Sequence, residues 1–493
     1  MRRKPGNRLA RLAAAITIII ASGLPCAYGA SFMELMGAVD TRNPYSARIL
    51  PLGPQAAYFN PALLPDTAES GSLSLVYVGQ LTNIGLQDRP TGADVSSAVY
   101  DARLLNPDGS TNRLVWRPLA TGDLRQARGS SNPGNHQLYA TWAISRHIIE
   151  KRLTFALYAL LPATEFQGQS TFFSDEREQF FSNSLHFEML GDRTRMYTMS
   201  FALGGKPLDW LGLGVGVTLA ARSQATSYVY VADVSYQEAS EVNADLKLQM
   251  RLVPHLGFSI DALDWLRVTG TVHFSHAARV DGKSDLQLWN YPYDEGKDSL
   301  LQTFKLASGY EPLRASLGVA VQGKVAGAVL NGALGTQYAR WSQYEDRHQE
   351  NPADSWSDTF TVTAGGNVET GRHRFGLDLA WIPTPVPAQT GRSNYVDNTR
   401  LGLGGGYEIG FPIKDKTLFI GAGLQGQFLV PRSVDKSLEA SHPVFDEFPE
   451  SIHVKTGEVM GDSDGFQSNN PGYPGFSSDG WLLAGSLFVK MEF

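Results

Sequence analysis

The chain closes on "GWLLAGSLFVKMEF", in which Trp481, Leu483, Gly485, Leu487, Val489, Met491 and Phe493 fall on one side and Leu482, Ala484, Ser486, Phe488, Lys490 and Glu492 on the other. The same alternation recurs upstream. In "RFGLDLAW", Phe375, Leu377, Leu379 and Trp381 oppose Arg374, Gly376, Asp378 and Ala380. In "RLGLGGGYEI", Leu401, Leu403, Tyr407 and Ile409 oppose Arg400, Gly402, Gly404, Gly406 and Glu408. "TLFIGAGLQGQF" and "TFTVTAGGNV" follow suit. A period of two predicts β-strands, and each run is about the ~9–11 residues that a tilted strand needs to cross a bilayer. One face is apolar, while the other carries glycine, threonine and scattered charge. That division suits a strand with lipid on one side and a polar lumen on the other. A water-soluble sandwich would alternate too, but its polar face would carry more charge than this one.

The pattern places strands near 72–81, 136–146, 152–161, 195–205, 210–231, 243–260, 264–280, 311–323, 326–341, 355–370, 371–383, 397–411, 416–430 and 479–493, fourteen in all. Their connections alternate in length. "HIIEK", "KPLD", "DALD", "GKVAG", "TGR" and "PIKDK" are tight turns, whereas 82–135, 162–194, 281–310, 342–354 and 431–478 are long loops. Short turns at one end and long loops at the other are the layout of an outer-membrane barrel, with the turns periplasmic. Closure is required because a free strand edge in hydrocarbon has nothing to pair with. The expected fold is therefore all-β: a fourteen-stranded antiparallel transmembrane β-barrel over 67–493. The terminal Phe493 is expected at the periplasmic rim, where the outer-membrane assembly machinery reads such a residue.

The start of the chain fits export. Arg2, Arg3, Lys4, Arg8 and Arg11 precede the apolar run "LAAAITIIIASGL", and Ala27-Tyr28-Gly29 offers small residues for cleavage, so 1–29 reads as a signal peptide. The single cysteine, Cys26, lies within it, which leaves the processed chain without disulfide or thiolate chemistry. Without the five basic residues of 1–29, 37 basic residues face 49 acidic ones, a net charge of −12. That balance argues against nucleic acid as a partner.

Residues 30–66 do not alternate and hold Pro44, Pro51, Pro54, Pro61 and Pro65, so they form neither a long helix nor a ladder strand. They are too apolar for a solvated tail, and a segment of this length leading into a barrel is placed to plug its lumen. Within it, "GPQAAYFNPALLP" resembles the signature of the FadL-type family of outer-membrane long-chain fatty-acid and hydrocarbon transporters: an aromatic pair, Tyr58-Phe59, then Asn60-Pro61-Ala62 just before the first strand. The opening "ASFMEL", the stretch "LDWLGLGVGVTL" (208–219), the run "WIPTPVPAQTGRSNYVDNTRLGLGGGYEI" (381–409) and the terminal strand are also similar to that family. Leu63 stands where the family usually has glycine, and the first loop is long.

The resemblance implies a barrel with an N-terminal hatch (30–66) in its lumen. Outer loops would capture a hydrophobic molecule such as a long-chain fatty acid or hydrocarbon, an inner pocket would hold it, and a shift of the hatch would open a sideways exit. The surroundings would be outer-membrane lipid and lipopolysaccharide, with no cofactor and no chemical step. Candidate ligand-binding residues are Phe32 and the loop phenylalanines Phe166, Phe172, Phe173, Phe180 and Phe181, of which Phe173, Phe180 and Phe181 share a face at helical spacing. Asn60, Pro61 and Ala62 form the candidate gate. Arg374, Asp378, Arg400 and Glu408 are expected to face the lumen and tie hatch to wall, with Arg374 or Arg400 the alternative holder of a ligand carboxylate.

Other chemistry finds no support in the sequence. His273 and His276 in "HFSH" fall on opposite strand faces, and "GDSDG" (461–465) lacks the rest of a calcium loop, so no metal site is expected. No Ser/His/Asp trio appears at a readable spacing, which argues against an outer-membrane phospholipase. A general porin without an apolar ligand is the competing function.

Overall fold

The computed structural model describes residues 31–86, 135–163, 189, 197–231, 240–289, 297–346, 351–352, 354–389, 394–435 and 475–493. The strands are β1 (Ser70–Leu86), β2 (Asn135–Ile149), β3 (Leu153–Pro162), β4 (Tyr197–Leu208), β5 (Leu211–Val231), β6 (Ser240–Leu263), β7 (Leu266–His273), β8 (His276–Trp289), β9 (Lys297–Glu311), β10 (Arg314–Val325), β11 (Ala328–Ala339), β12 (Thr359–Thr370), β13 (His373–Ile382), β14 (Arg400–Ile413), β15 (Lys416–Asp435) and β16 (Gly475–Glu492). Fourteen of them close a ring in which every neighbour is antiparallel. β1 through β7 run in sequence, β10 follows β7, β10 through β16 continue, and β16 returns to β1 with Ser70 opposite Glu492.

The remaining pair corrects the sequence reading. Residues 281–289 and 297–310, expected as part of a loop, belong to strands β8 and β9, which pair with each other, prolong β7 and β10 beyond the ring and pair with β5 at Tyr230 and Val231. The stretch expected as one strand over 264–280 is likewise two, separated by Phe274 and Ser275.

The outward faces form the expected apolar belt. Leu73, Leu75, Trp142, Leu334, Leu377, Leu403, Leu424 and Leu487 are exposed, and Phe360, Trp381 and Trp481 lie toward the long-loop end. At the other rim, Phe493 donates its N–H to the Glu69 carbonyl at 2.9 Å and lies beneath the Arg146 guanidinium, 4.0 Å from its ring. Among the described residues, no helix is long and apolar enough to cross a membrane. Leu377, midway along β13 and 60% exposed, tests the belt. Leu377→Arg is expected to cost about 2–4 kcal/mol, read from urea titrations of folding into lipid vesicles, while the same change at inward-facing Ala380 follows no such lipid-depth rule.

Candidate functional site

Residues 31–66 lie inside the ring, and the lumen is built to receive them. Helix α1 (Ser31–Met36) ends at Gly37, whose φ of 73° and close approach to the Pro44 carbonyl admit no side chain. Helix α2 (Ala56–Phe59) follows, then a 3-10 turn (Pro61–Asp66) capped by the Asn60 side chain, which accepts from the Ala62 N–H at 3.2 Å. Phe32, Met33, Met36, Tyr58, Phe59, Leu63 and Leu64 are buried in one cluster with inward residues of β1, β2 and β3.

Three rows of inward-facing glycine take the closest contacts. Gly204, Gly214 and Gly257 are in direct register across β4, β5 and β6. A methyl group at any of them would overlap Asn60, Pro61 or Ala62. Gly376, Gly406 and Gly423 form a second row across β13, β14 and β15, beneath Val39, Thr41, Arg42 and Asn43. Gly318 and Gly335, paired across β10 and β11, both receive Ile49. Glycine here lets one backbone approach another.

Polar groups fix the register between the rows. Asp378 accepts four hydrogen bonds from the segment: Asn43 Nδ2 at 2.8 Å, the N–H groups of Tyr45 and Ser46 at 2.8 and 2.9 Å, and Ser46 Oγ at 2.9 Å. Arg42 pairs with Glu369 at 2.5 Å and Glu408 at 3.2 Å, and Glu408 also holds Lys490 at 2.9 Å. Arg374 extends this network to Glu492 at 2.8 Å. Asp40 accepts from Thr141, Tyr158 and Gln55. Burial pushes its carboxyl above the ordinary range, against the pull of those three donors. Burial would also raise Glu34, but Arg48 at 2.5 Å and Arg314 at 3.4 Å overcome it and hold the carboxyl well below the usual range.

Between α1 and the wall of β10, β11, β12 and β14 remains a cavity with about 100 Å³ of space open to the centre of a water molecule, several times the ~10–15 Å³ that one water needs. Met33, Leu35, Ile49, Trp341 and Ile382 supply apolar lining, and Glu34, Arg48, Arg314 and Arg400 a charged end. Arg400 is buried. Its Nε and Nη1 have no hydrogen-bond partner among the described residues, and its Nη2 meets only the Met189 sulfur at 3.8 Å. On the loop side, Trp341, Tyr344, Trp356, Tyr395 and Val386 pack into an aromatic cap, with Tyr344 and Trp356 stacked at 3.9 Å.

The candidates drawn from sequence fall unevenly around this cavity. Arg400 lines it, whereas Arg374, Asp378 and Glu408 bind the segment or its ion network. Phe32 packs on Tyr139 at 4.4 Å, beside the cavity but outside its lining. Both hydrogen bonds of the Asn60 side chain stay within the segment, to Ala62 and the Arg48 carbonyl. Phe166, Phe172, Phe173, Phe180 and Phe181 lie outside the described residues. The sequence reading missed Glu34 and Arg48, 14 positions apart in the segment, and Arg314, which meets them from β10. Their one local signal was Glu34 and Arg48 as charges inside an apolar run.

Compared with known structures, the chain aligns with a crystal structure of a Pseudomonas aeruginosa FadL homologue over 95% of its own length and 98% of the other, at 14% identity and a TM-score of 0.51. The fold is that of a FadL-type barrel. The toluene transporters TodX of P. putida and TbuX of Ralstonia pickettii also align, at 11% and 12% identity, over 95% of this chain and 99% and 98% of theirs, with TM-scores of 0.45 and 0.43. No family model matches the sequence, and no curated protein does. Within the FadL-type barrel, the segment 31–66 and the cavity beside α1 occupy the described interior together with inward side chains of the wall.

Proposed function

We propose that this barrel is an outer-membrane passage for the uptake of hydrophobic molecules such as long-chain fatty acids, with 31–66 as its movable hatch. The observation that carries this reading is the cavity beside α1, apolar along Met33, Leu35, Ile49 and Ile382 and cationic at Arg400. A chain buried there gains about 0.8 kcal/mol per methylene, and the Arg400 guanidinium, whose Nε and Nη1 lack a hydrogen bond among the described residues, suits a carboxylate head. Residues 1–29 serve as the removed export signal, the phenylalanines of 165–190 as the outer landing surface, and the Asn60-Pro61-Ala62 seat as the hatch's pivot. The neighbouring structures support this reading through fold. No bond is made or broken in such a passage.

Uptake of radiolabelled oleate by cells lacking their own fatty-acid channel tests it. Expression of this chain is expected to give saturable uptake that Arg400→Ala weakens by about ten-fold in half-saturating concentration, or about 1.4 kcal/mol. Uptake that stays at the background of empty cells, with ion conductance unaltered by deletion of 31–62, would establish the porin reading instead.

A further inference from the structure

Resting on that uptake reading, we infer that the cargo is a long-chain acid carrying an oxygen part-way along its chain, and that Thr361 and Ser316 recognise that oxygen. The main cavity has two unlike walls. On the segment side, Met33, Leu35 and Ile49 offer apolar surface. On the barrel side, β12 turns Thr359, Thr361 and Thr363 inward in succession, while Phe360 and Val362 between them are exposed on the outer face. Ser316 on β10 lines the same wall. Plain hydrocarbon would be served as well by valine at the threonine positions, which strands favour as readily.

These hydroxyls are uncommitted. Ser316 Oγ is buried and has no hydrogen-bond partner among the described residues. Thr359, Thr361 and Thr363 make no side-chain hydrogen bond among them either. Gln337, which stands between Ser316 and Thr361 in register, gives its amide to Glu34 at 3.2 Å. On other strands, by contrast, the segment takes the hydroxyls of Ser486, which donates to the Val39 carbonyl at 2.6 Å, and Thr141, which donates to Asp40 at 2.8 Å. β12 itself changes role along its length. Toward the periplasm, Gly365 makes room for Ser46, and Asn367 donates to Asn43 at 3.1 Å. The three threonines occupy the stretch of β12 that lines the cavity.

Register sets where along the cargo these groups act. Ile382 of β13 stands opposite Arg400 of β14, and Val362 of β12 opposite Trp381 of β13. Thr361 therefore lies two strands from Arg400 in the same row, about 10 Å away at a strand spacing of roughly 4.8 Å. Ser316 lies two strands further, across Gln337. Arg400, Ile382, Thr361 and Ser316 all line the one cavity. A carboxylate on the Arg400 guanidinium, with its chain along this row, brings its middle against Thr361 and Ser316. Their hydroxyls both donate and accept, so a hydroxyl, ketone or epoxide oxygen suits them. An unsubstituted chain in the same place strips water from the hydroxyls and returns no bond. A site that hydrogen-bonds an oxygen rejects the analogue without it more strongly than an apolar pocket rejects an added one.

Ricinoleate and oleate, which differ only in one mid-chain hydroxyl, test the assignment. Uptake of each radiolabelled acid is measured in cells that lack their own fatty-acid channel. In the unmodified protein the half-saturating concentration is expected to be about ten-fold lower for ricinoleate. Thr361→Val combined with Ser316→Ala removes both hydroxyls, and heat-modifiable migration on gels checks that the barrel still folds. This variant is expected to weaken ricinoleate by about ten-fold and to tighten oleate, so that the preference is lost or reversed. Equal half-saturation in the unmodified protein, a preference for ricinoleate that survives in the variant, or an equal weakening of both acids would each overturn the assignment while leaving uptake itself intact. The ratio in the unmodified protein decides the matter by itself if the variant does not fold. Absence of uptake of both acids would overturn the uptake reading and the substrate class together.

Discussion

Gly214→Val is expected to unseat the N-terminal segment and open the barrel to ions. The added branch would meet the Ala62 nitrogen and the Pro61 carbonyl carbon, which are backbone atoms and have no rotamer to change. Overpacking in a core costs about 1–3 kcal/mol where side chains can yield, and here the obstacle is a 3-10 turn capped by Asn60 and started by Pro61. The strand itself tolerates the change, since valine favours strands. Planar-bilayer recordings should therefore show a large, steady conductance that the parent lacks, and protease should cut within 31–66 while the barrel keeps its heat-modifiable migration on gels. A closed, protected barrel would show that Pro61 and Ala62 are not held by the glycine row.

Asp378→Ala is expected to have the second-largest effect, by a different route. It takes one acceptor from four donors at once: Asn43, Tyr45 and two groups of Ser46. Each buried donor left unsatisfied costs roughly 1–3 kcal/mol, so the loss should exceed about 3 kcal/mol even after water reaches some of them. Only the segment depends on those bonds, and the β13 ladders use backbone groups. Hydrogen exchange should thus rise sharply at 43–46 and leave 373–382 protected. Equal loosening of β13 would show that Asp378 supports the wall instead.

Much of the ring was legible because a strand with lipid on one side must alternate, and Phe375 through Trp381 or Leu401 through Ile409 have no other reading. The inward direction of Arg374, Asp378, Arg400 and Glu408 followed from the same register. What those groups meet did not, because Arg42, Asn43 and Ser46 reach them from more than three hundred positions away. Distance along the chain also hid the pairing of Arg314 with Glu34. The hairpin β8–β9 read as a loop because it leaves the bilayer region, where the rule of one apolar face no longer applies. Asn60-Pro61-Ala62 was visible as a motif, but its purpose needed Gly204, Gly214 and Gly257 side by side, and nothing in one sequence pairs three strands in register.

The glycine rows also bear on the order of assembly. Bare backbone is a poor inner lining: glycine packs nothing and is weak in a strand. A cylinder completed around water would leave eight such positions unsupported, from Gly204 to Gly423. The seam between β1 and β16 joins the two ends of the barrel sequence, and the segment enters directly ahead of β1. Biogenesis should therefore wrap the later strands around an already lodged N-terminal peptide, which acts as the mandrel on which the wall is wound.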